Sequence, residues 1–318
     1  MARIAVLKGG TSMEREISLI TGRRVQLALE RLGHEVDSLD VEDDTTARLI
    51  ELEPDAVFIC LHGVGGEDGT VQALLETLGL PYTGSGPLAS SRSLDKDYSK
   101  RLLNAEGIST PEFRSFGRRA VDEMGASAAL GLAAEQVGYP LAVKPARQGS
   151  SMGLSHVESQ ETLLEAVYEA FAYDRKIVLE RWLEGGTEVL APILHPPGEE
   201  PRVLEMVEVR PREGQYNFEA MYTPGMTDFA IPAEVSPEAA RKLQQTALKT
   251  YEVLGCSGFG RVDMILVDDE PHVLDINTIP GFTETSTLPL AAEAAGVSFE
   301  ELVETIVDDA LQREATRL

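Results

Sequence analysis

The segment GFGRVDMILVDDEPHVLDINTIPGFTETS, residues 258–286, decides how the rest of the chain is interpreted. Two short runs rich in β-branched residues, 262–267 and 272–276, flank an acidic turn, and this pattern predicts a β-hairpin. A proline and a glycine then form a turn at residues 280–281, and hydroxyl side chains follow over residues 283–286. The segment therefore combines an apolar hairpin with polar groups that a hairpin does not need.

Three oxygen-bearing side chains interrupt the apolar strands of this hairpin. Asp275 and Asn277 are two residues apart and so point to the same face of one strand, while Asp263 on the opposing strand can face them. Two carboxylates and an amide beside Arg261 suit Mg²⁺, which takes oxygen ligands and keeps several of its waters. The plain alternative is a hairpin whose carboxylates are solvated at the surface.

Length and charge narrow the class of protein. The chain has 318 residues, enough for two or three domains, and its 43% apolar and 25% charged residues are ordinary for a globular protein. With 28 basic and 53 acidic residues the formal net charge is −25, which argues against nucleic acid and anionic membranes as partners. An anionic nucleotide must then be bound by a few well-placed cations and amide groups.

Cysteine usage and the start of the chain indicate the compartment. Cys60 and Cys256 both lie in apolar surroundings and cannot form a disulfide framework, so a reducing compartment is expected. No basic-then-apolar signal segment follows Met1, and no apolar run approaches the length of a membrane span. The sequence therefore predicts a cytoplasmic protein.

Strands and helices alternate over the first third of the chain, which predicts a parallel, doubly wound sheet. Ligands bind at the carboxyl ends of the strands in such sheets, where three loops fall, at residues 9–14, 62–70 and 82–86. Glu14 near the start of the first helix either serves the helix dipole or holds a ligand. His62 opens a loop of interleaved glycines and polar residues, and it is either a structural or a functional histidine.

A lysine followed by a flexible loop marks the middle third. Lys144 lies in the apolar strand YPLAVKPA, where an ammonium group is costly unless it is paired. The loop at residues 148–153 contains two glycines and two serines, so its amides can approach phosphate oxygens. Lys96 opens a helix, where a cation opposes the helix dipole and so suggests an anionic ligand. The order of lysine and loop is the reverse of that in a Walker loop.

Arg261-Val-Asp263 together with Asp275-Ile-Asn277-Thr-Ile-Pro-Gly281 resembles the metal-binding end of ATP-grasp ligases. The stretches GGTSMEREISL, LHGVGGEDGTVQ and GLPYTGSG resemble the D-alanine–D-alanine ligase family, and the likeness extends over nearly the whole chain. The resemblance implies an α/β ATP-grasp fold with an N-terminal doubly wound, Rossmann-like parallel-sheet domain. It places a substrate-binding domain at residues 1–94, a central subdomain at 95–186, and a C-terminal subdomain with the metal site and a mobile loop at 187–318.

Site residues follow from the same resemblance, position by position. Those it implies to be catalytic are Glu14, Ser150, Tyr222, Arg261 and Gly281. Those it implies to contact the amino-acid substrates are His62, Ser286 and Thr287. Those it implies to bind the nucleotide are Lys96, Lys144, Ser151, Glu180, Trp182, Leu183 and Glu188. Glu180, Trp182 and Leu183 are expected at the point where an edge strand of a sheet runs into a loop. Those it implies to be metal ligands are Asp263, Asp275 and Asn277, for two Mg²⁺ ions that Mn²⁺ can replace.

The activity that the resemblance implies is ligation of two D-alanines for peptidoglycan precursor synthesis, in a homodimer. ATP phosphorylates the carboxylate of a first D-alanine, whose ammonium Glu14 holds, and the amine of a second D-alanine attacks the acyl phosphate. Arg261 and the Gly281 amide stabilise the oxyanion, and Ser286 with Thr287 binds the second carboxylate. A hydrogen-bonded meeting of Glu14, Ser150 and Tyr222 is expected to report closure of the site.

Departures from the family pattern keep two other functions open. Met221 stands where a lysine usually reaches the ATP phosphates, and Asp275 stands where the metal ligand is usually glutamate. One alternative is an ATP-grasp ligase with a different second substrate, D-lactate or D-serine. The other is a nucleotide-binding regulatory protein without catalysis, against which the retained Lys96, Lys144 and Arg261 argue.

Overall fold

The computed structural model of the chain describes residues 1–212, 216, 218–223 and 225–317, with the backbone alone at 218, 222 and 314–317. These residues form three sheets flanked by helices. None of the helices within the described ranges is long and apolar enough to cross a membrane.

The first sheet is parallel, as the alternation of strands and helices predicts. Its part of the chain contains β1 (Arg3–Lys8), α1 (Arg15–Arg31), β2 (Glu35–Asp40), α2 (Thr45–Leu52), β3 (Ala56–Ile59), α3 (Thr70–Leu78) and α4 (Pro87–Leu94). The strand order is β2-β1-β3. All of β3 and the interior of β1 are buried, as expected for parallel strands covered on both faces.

The second sheet is antiparallel and belongs to the middle of the chain. The elements here are α5 (Lys96–Ala105), β4 (Phe113–Gly117), α6 (Arg118–Glu123), α7 (Ser127–Val137), β5 (Leu141–Pro145), β6 (Ser155–Val157), α8 (Gln160–Phe171) and β7 (Lys176–Arg181). The strand order is β4-β7-β5-β6, so β7 lies inside the sheet and the predicted edge strand is wrong. Strand β4, FRSFG, forms the edge of the sheet next to β7, and it is too short and too polar to be recognised from its sequence pattern.

The third sheet contains the rest of the strands. Its part of the chain comprises β8 (Thr187–Leu194), β9 (Arg202–Val203), β10 (Val207–Pro211), α9 (Phe218–Tyr222), β11 (Thr227–Ala230), α10 (Pro237–Leu254), β12 (Phe259–Val267), β13 (Glu270–Asn277), α11 (Thr287–Ala294) and α12 (Phe299–Arg317). The order is β11-β10-β8-β12-β13, with β9 paired to β8.

The predicted hairpin is present as β12 and β13. Its turn consists of Asp268 and Asp269, with φ angles of 51° and 59°, as a two-residue type I′ turn requires. Glu270 pairs with Val267 and therefore belongs to the strand rather than to the turn. Buried residues alternate with partly buried ones from Gly260 to Val267 of β12, so one face of the strand packs inward and the other carries Arg261 and Asp263.

Helix α10 packs against the apolar face of this hairpin. Ser236 Oγ accepts a hydrogen bond from the Ala239 N–H at 3.1 Å, Pro237 takes the first helical position, and Gly255 with a φ of 76° follows the last residue. The buried stripe that includes Leu243 and Ala247 packs against the apolar face of β8, β12 and β13. Each of these signals lies within a few residues of the helix end that it marks.

An aromatic cluster holds the loop after β13 against the first sheet. The Phe282 ring stands edge-on to Phe58 of β3 and to Phe259 of β12, with ring centroids 5.7 Å apart in both pairs. Such pairs contribute about 0.5–1.5 kcal/mol beyond their buried area. The same apolar cluster includes Leu302 and Val307 of α12, so the end of the chain also packs on the first sheet.

Candidate active site

One cavity of about 550 Å³ brings the predicted residues together. Its wall contains strand residues of the second and third sheets, and residues such as Glu14 and His62 that lie outside the strands of the first sheet. Every predicted site residue whose side chain is described lies on it: Glu14, His62, Lys96, Lys144, Ser150, Ser151, Glu180, Trp182, Leu183, Glu188, Arg261, Asp263, Asp275, Asn277, Gly281, Ser286 and Thr287. The predicted contact of the Tyr222 side chain lies outside the described part of the chain.

The loop after β5 is folded onto the first sheet. Ser150 Oγ donates a hydrogen bond to Glu14 Oε1 at 2.5 Å, and both side chains lie within the cavity wall. Ser150 and Ser151 have φ angles of 51° and 54°, a left-handed conformation that non-glycine residues rarely adopt. Ser151 Oγ also donates to the Tyr216 carbonyl at 3.1 Å. These contacts hold two consecutive residues in a conformation that the backbone alone disfavours.

Burial and nearby cations act in opposite directions on Glu14. Desolvation raises the pKa of its carboxyl, whereas the Ser150 hydroxyl and the charges of Lys96 and Arg261 lower it. Its second oxygen, Oε2, is buried without a hydrogen-bond partner in the described part of the chain. A buried acceptor of this kind suits an ammonium or another donor from a ligand.

Side chains of the hairpin take part in two ion pairs in the cavity wall. Asp263 lies across from Asp275, and Arg261 across from Asn277, as the two-residue spacing predicts. The Arg261 guanidinium donates to both oxygens of Asp263, at 2.6 and 2.7 Å. Lys96 Nζ lies 2.9 Å from Asp275 Oδ2. Each predicted metal-binding carboxylate is thus paired with a cation that is predicted to meet substrate or phosphate.

The donor set of the hairpin fits a hard divalent cation. Asp263, Asp275 and Asn277 can each supply an oxygen ligand, and carboxylates outnumber basic side chains along the cavity wall. A polyphosphate would therefore meet excess negative charge unless metal ions accompanied it. Within the described residues no group of three or more His, Cys, Asp or Glu side chains forms a metal site, and the set here has two carboxylates and one amide.

The buried Glu180 carboxylate lies between the ammonium groups of two lysines. Glu180 Oε1 lies 2.7 Å from Lys144 Nζ, and Glu180 Oε2 lies 2.6 Å from Lys100 Nζ. The expectation that Lys144 must be paired is therefore correct. Sequence reasoning missed Lys100, whose burial lowers its pKa to about 8 against the opposing effect of Glu180. The available signal was its position, one helical turn after Lys96 on the same face of α5.

Glu67 is a second cavity residue that sequence reasoning missed. It is buried, and its Oε2 accepts a hydrogen bond from the Gly63 N–H at 2.7 Å. Burial, with a smaller effect of the Glu14 charge, raises the pKa of Glu67 to about 8. The signal was a carboxylate in the middle of the glycine-rich loop at residues 62–70.

His62 is held in one tautomer. Its Nδ1 lies 3.0 Å from the Ile279 carbonyl oxygen, which can only accept, so Nδ1 carries the proton. Its Nε2 lies 3.3 Å from Thr21 Oγ1 and is then the acceptor. Burial lowers the pKa of His62 to about 4, so the ring is neutral at pH 7. The geometry supports a positioning role, because both nitrogens already have partners within the protein.

Hydroxyl groups gather where α11 begins. Ser286 Oγ accepts from the Thr283 N–H at 3.0 Å and lies 2.8 Å from Thr283 Oγ1. Thr287 is buried, and its Oγ1 has no hydrogen-bond partner in the described part of the chain. A Cβ atom added to Gly281 would lie 2.7 Å from Ser286 Oγ and would force this hydroxyl to move. Together with the helix N-terminus, these groups suit a carboxylate.

The cavity wall also contains the Trp182 side chain and the buried carboxyl group of Glu188. Trp182 lies against His156, with ring centroids 4.7 Å apart, and its backbone N–H donates to the Pro140 carbonyl at 3.1 Å. Glu188 lies at the start of β8, and burial raises its pKa to about 7. Met221 of α9 also lies on the wall, and its carbonyl accepts from Thr285 Oγ1 at 3.5 Å.

Comparison with protein families agrees with this geometry. The family profile described as D-ala D-ala ligase C-terminus matches residues 102–308, and that described as D-ala D-ala ligase N-terminus matches residues 41–85. The chain is 44% identical to the D-alanine–D-alanine ligase of Desulforudis audaxviator, covering 98% of this chain and 99% of that one. It is 40% identical to the corresponding protein of Halalkalibacterium halodurans, covering 98% and 100%.

A solved structure resembles the fold over its full length. The crystal structure of a D-alanine–D-alanine ligase from Bacillus anthracis complexed with ATP aligns with a TM-score of 0.82 at 30% sequence identity. The alignment covers 100% of both chains. A second structure from the same organism aligns with a TM-score of 0.84 at 32% identity.

Proposed function

Because the chain belongs to the D-alanine–D-alanine ligase family, we propose that it joins two D-alanines to D-alanyl-D-alanine while converting ATP to ADP and phosphate. The observation that carries the proposal is that one cavity contains every predicted site residue with a described side chain. These residues come from strands, helices and loops that are far apart in sequence. The ligated product would serve peptidoglycan precursor synthesis.

The first half of the reaction transfers the terminal phosphoryl group of ATP to a carboxylate oxygen of the first D-alanine. The Glu14 oxygen that has no hydrogen-bond partner in the described part of the chain supports a role for this carboxylate in holding the substrate ammonium. Lys96 and Lys144 line the wall as the cations for the phosphates, with Ser151 in the loop that covers them. Phosphoryl transfer needs mainly such positioning and charge neutralisation.

Metal ions complete the charge balance in this proposal. Asp263, Asp275 and Asn277 would hold two Mg²⁺ ions, or Mn²⁺ in their place, which neutralise phosphate oxygens when bound. The residues that now pair with the carboxylates, Arg261 and Lys96, would then face substrate groups instead. The adenosine end of ATP would lie near Glu180, Trp182 and Leu183, with Glu188 on the ribose hydroxyls.

In the second half the amine of the second D-alanine attacks the carbonyl carbon of the acyl phosphate. A C–N bond forms, the C–O bond to phosphate breaks, and the amine loses a proton. Arg261 and the Gly281 N–H would stabilise the negative charge on the carbonyl oxygen in between. The unpaired Thr287 hydroxyl and Ser286 support binding of the second carboxylate at the start of α11.

The experiment that tests the proposal is phosphate release by the purified protein with ATP, Mg²⁺ and a panel of amino and hydroxy acids. D-alanine should stimulate release and yield the dipeptide, and D-lactate or D-serine as second substrate should do so less. Equal stimulation by L-alanine and D-alanine would contradict the proposal. A cytoplasmic location and a homodimer are part of the same proposal, and light scattering of the purified protein tests the dimer.

A further inference from the structure

Lys100 is a buried cation that the reaction described above does not use. Its side chain is 1% exposed and is absent from the cavity wall. Its Nζ lies 2.6 Å from Glu180 Oε2 and donates to the Val273 carbonyl at 3.2 Å. Burying an ammonium group costs several kcal/mol before pairing, and an apolar side chain often stabilises a fold as well as a buried ion pair does. Packing alone therefore does not explain a lysine here.

The position of Glu180 connects Lys100 to the cavity. One carboxylate contacts two ammonium groups, Lys100 on its buried side and Lys144 on the cavity side. The three groups together carry one positive charge when both lysines are protonated. Without Lys100 the Glu180 carboxylate would neutralise Lys144 alone, and the cavity would lose that positive charge. Burial lowers the pKa of Lys100 only to about 8, so it is mostly protonated at pH 7.

Helix α5 places two lysines against two walls of the cavity. Lys96 reaches Asp275 on β13, and Lys100, one turn later, reaches Glu180 on β7. The bond from Lys100 to the Val273 carbonyl adds a second link to β13. Lys100 therefore ties a strand of the second sheet to a strand of the third, directly behind the wall that carries Lys144.

We propose that Lys100 is a positioning residue for ATP, which acts through Glu180 to keep a net positive charge on the group of Lys100, Glu180 and Lys144 and to hold Lys144 oriented towards the phosphates. The inference rests on the proposed use of ATP. It predicts an effect on the nucleotide and not on the amino acid, because Glu180 and Lys144 separate Lys100 from the substrate groups. A purely structural lysine would instead affect both substrates, or only stability.

The test is a set of variants of the full-length enzyme, with the KM for ATP, the KM for D-alanine and the melting temperature measured for each. Lys100→Met should raise the KM for ATP about tenfold or more, as expected for loss of one charge-assisted contact, and leave the KM for D-alanine within about twofold. Lys176→Met is the matched control, since Lys176 pairs with Asp95 and Asp97 away from the cavity. It should leave both KM values unchanged.

A double variant separates charge from packing. Lys100→Met with Glu180→Gln removes both buried charges and leaves Lys144 positive, so its KM for ATP should return to within about threefold of that of Glu180→Gln alone. If Lys100→Met does not fold, this double variant provides the comparison. The proposal is overturned if folded Lys100→Met keeps the wild-type KM for ATP, if Lys176→Met raises it equally, or if the double variant binds ATP much more weakly than Glu180→Gln. Absence of ATP turnover in the wild type would instead refute the proposed function itself.

Discussion

Ser150 and Glu14, 136 positions apart in the chain, share a 2.5 Å hydrogen bond in the wall of the cavity. The contact joins the loop after β5 to the start of α1, and so links the second sheet to the first. It leaves the other Glu14 oxygen buried and available to a ligand. The contact that holds the loop against α1 therefore engages only one of the two Glu14 oxygens.

Ser150→Ala should weaken catalysis by removing this contact. A hydrogen bond to a charged, desolvated carboxylate contributes about 1.5–3 kcal/mol, so kcat/KM for D-alanine should fall roughly ten- to a hundredfold. The control is Ser155→Ala, because Ser155 donates to Glu169 in the same way but at an exposed position. Equal activities of the two variants would show that the Ser150–Glu14 contact does not matter for turnover.

Asp263→Asn should sharply reduce ligation while the fold is retained. The amide removes a charge from the proposed metal site but preserves shape and one oxygen next to Arg261. Activity against Mg²⁺ concentration and the melting temperature are the measurements. The control is Asp228→Asn, which alters an exposed ion pair with Arg212 and should leave both activity and melting temperature unchanged. Wild-type activity of Asp263→Asn at ordinary Mg²⁺ would exclude the metal assignment.

Met221→Lys should raise kcat. The residue lies on the cavity wall, where a lysine would add one cation for the transferring phosphate, and such a contact corresponds to about ten- to a hundredfold in rate. Arg147, directly before the loop at residues 148–153, does not supply this cation, because its guanidinium is bound to the Asp174 carboxylate at 2.6 Å. Met226→Lys, in the same segment but off the cavity wall, is the control. Unchanged kcat and KM for ATP in folded Met221→Lys would mean that position 221 has no phosphate role.

His62 should make the protein less stable in mild acid. Burial lowers its pKa to about 4 from 6.5, so the unfolded chain binds a proton that the folded chain rejects as the pH falls through this window. The contribution is fully present above pH 6.5, and about 2 kcal/mol of it is lost between pH 7 and pH 5. Denaturant unfolding at both pH values should show a smaller loss in His62→Gln. If His62→Gln lost as much unfolding free energy between pH 7 and pH 5 as the wild type, this would contradict a buried, neutral His62.

The sequence predicts those parts of the fold and site whose signals are local. The hairpin predicted from the runs at residues 262–267 and 272–276 follows from a pattern within a few residues, and the structure confirms it as β12 and β13. Strand β7 was misplaced at an edge because its partner β4 has almost no pattern of its own. Lys100 was missed because its partner Glu180 lies 80 positions away and only packing brings the two together.

The resemblance to a family supplied what local patterns lacked. Nothing in the residues around Ser150 or Glu14 alone predicts that they meet, yet their contact is present as the resemblance implies. The conformation of individual side chains was not predictable, and the pairing of Asp263 with Arg261 is an example. That pairing depends on the charges of the whole cavity rather than on any one stretch.

Transfer of ¹⁸O from the carboxylate of D-alanine to inorganic phosphate tests the central claim most directly. If ATP phosphorylates that carboxylate and an amine then displaces phosphate, the bridging oxygen leaves with the phosphate, and each dipeptide formed yields one labelled phosphate. We predict ADP, D-alanyl-D-alanine and labelled phosphate in equal amounts. Unlabelled phosphate, or ADP formed without dipeptide, would contradict ligation through an acyl phosphate.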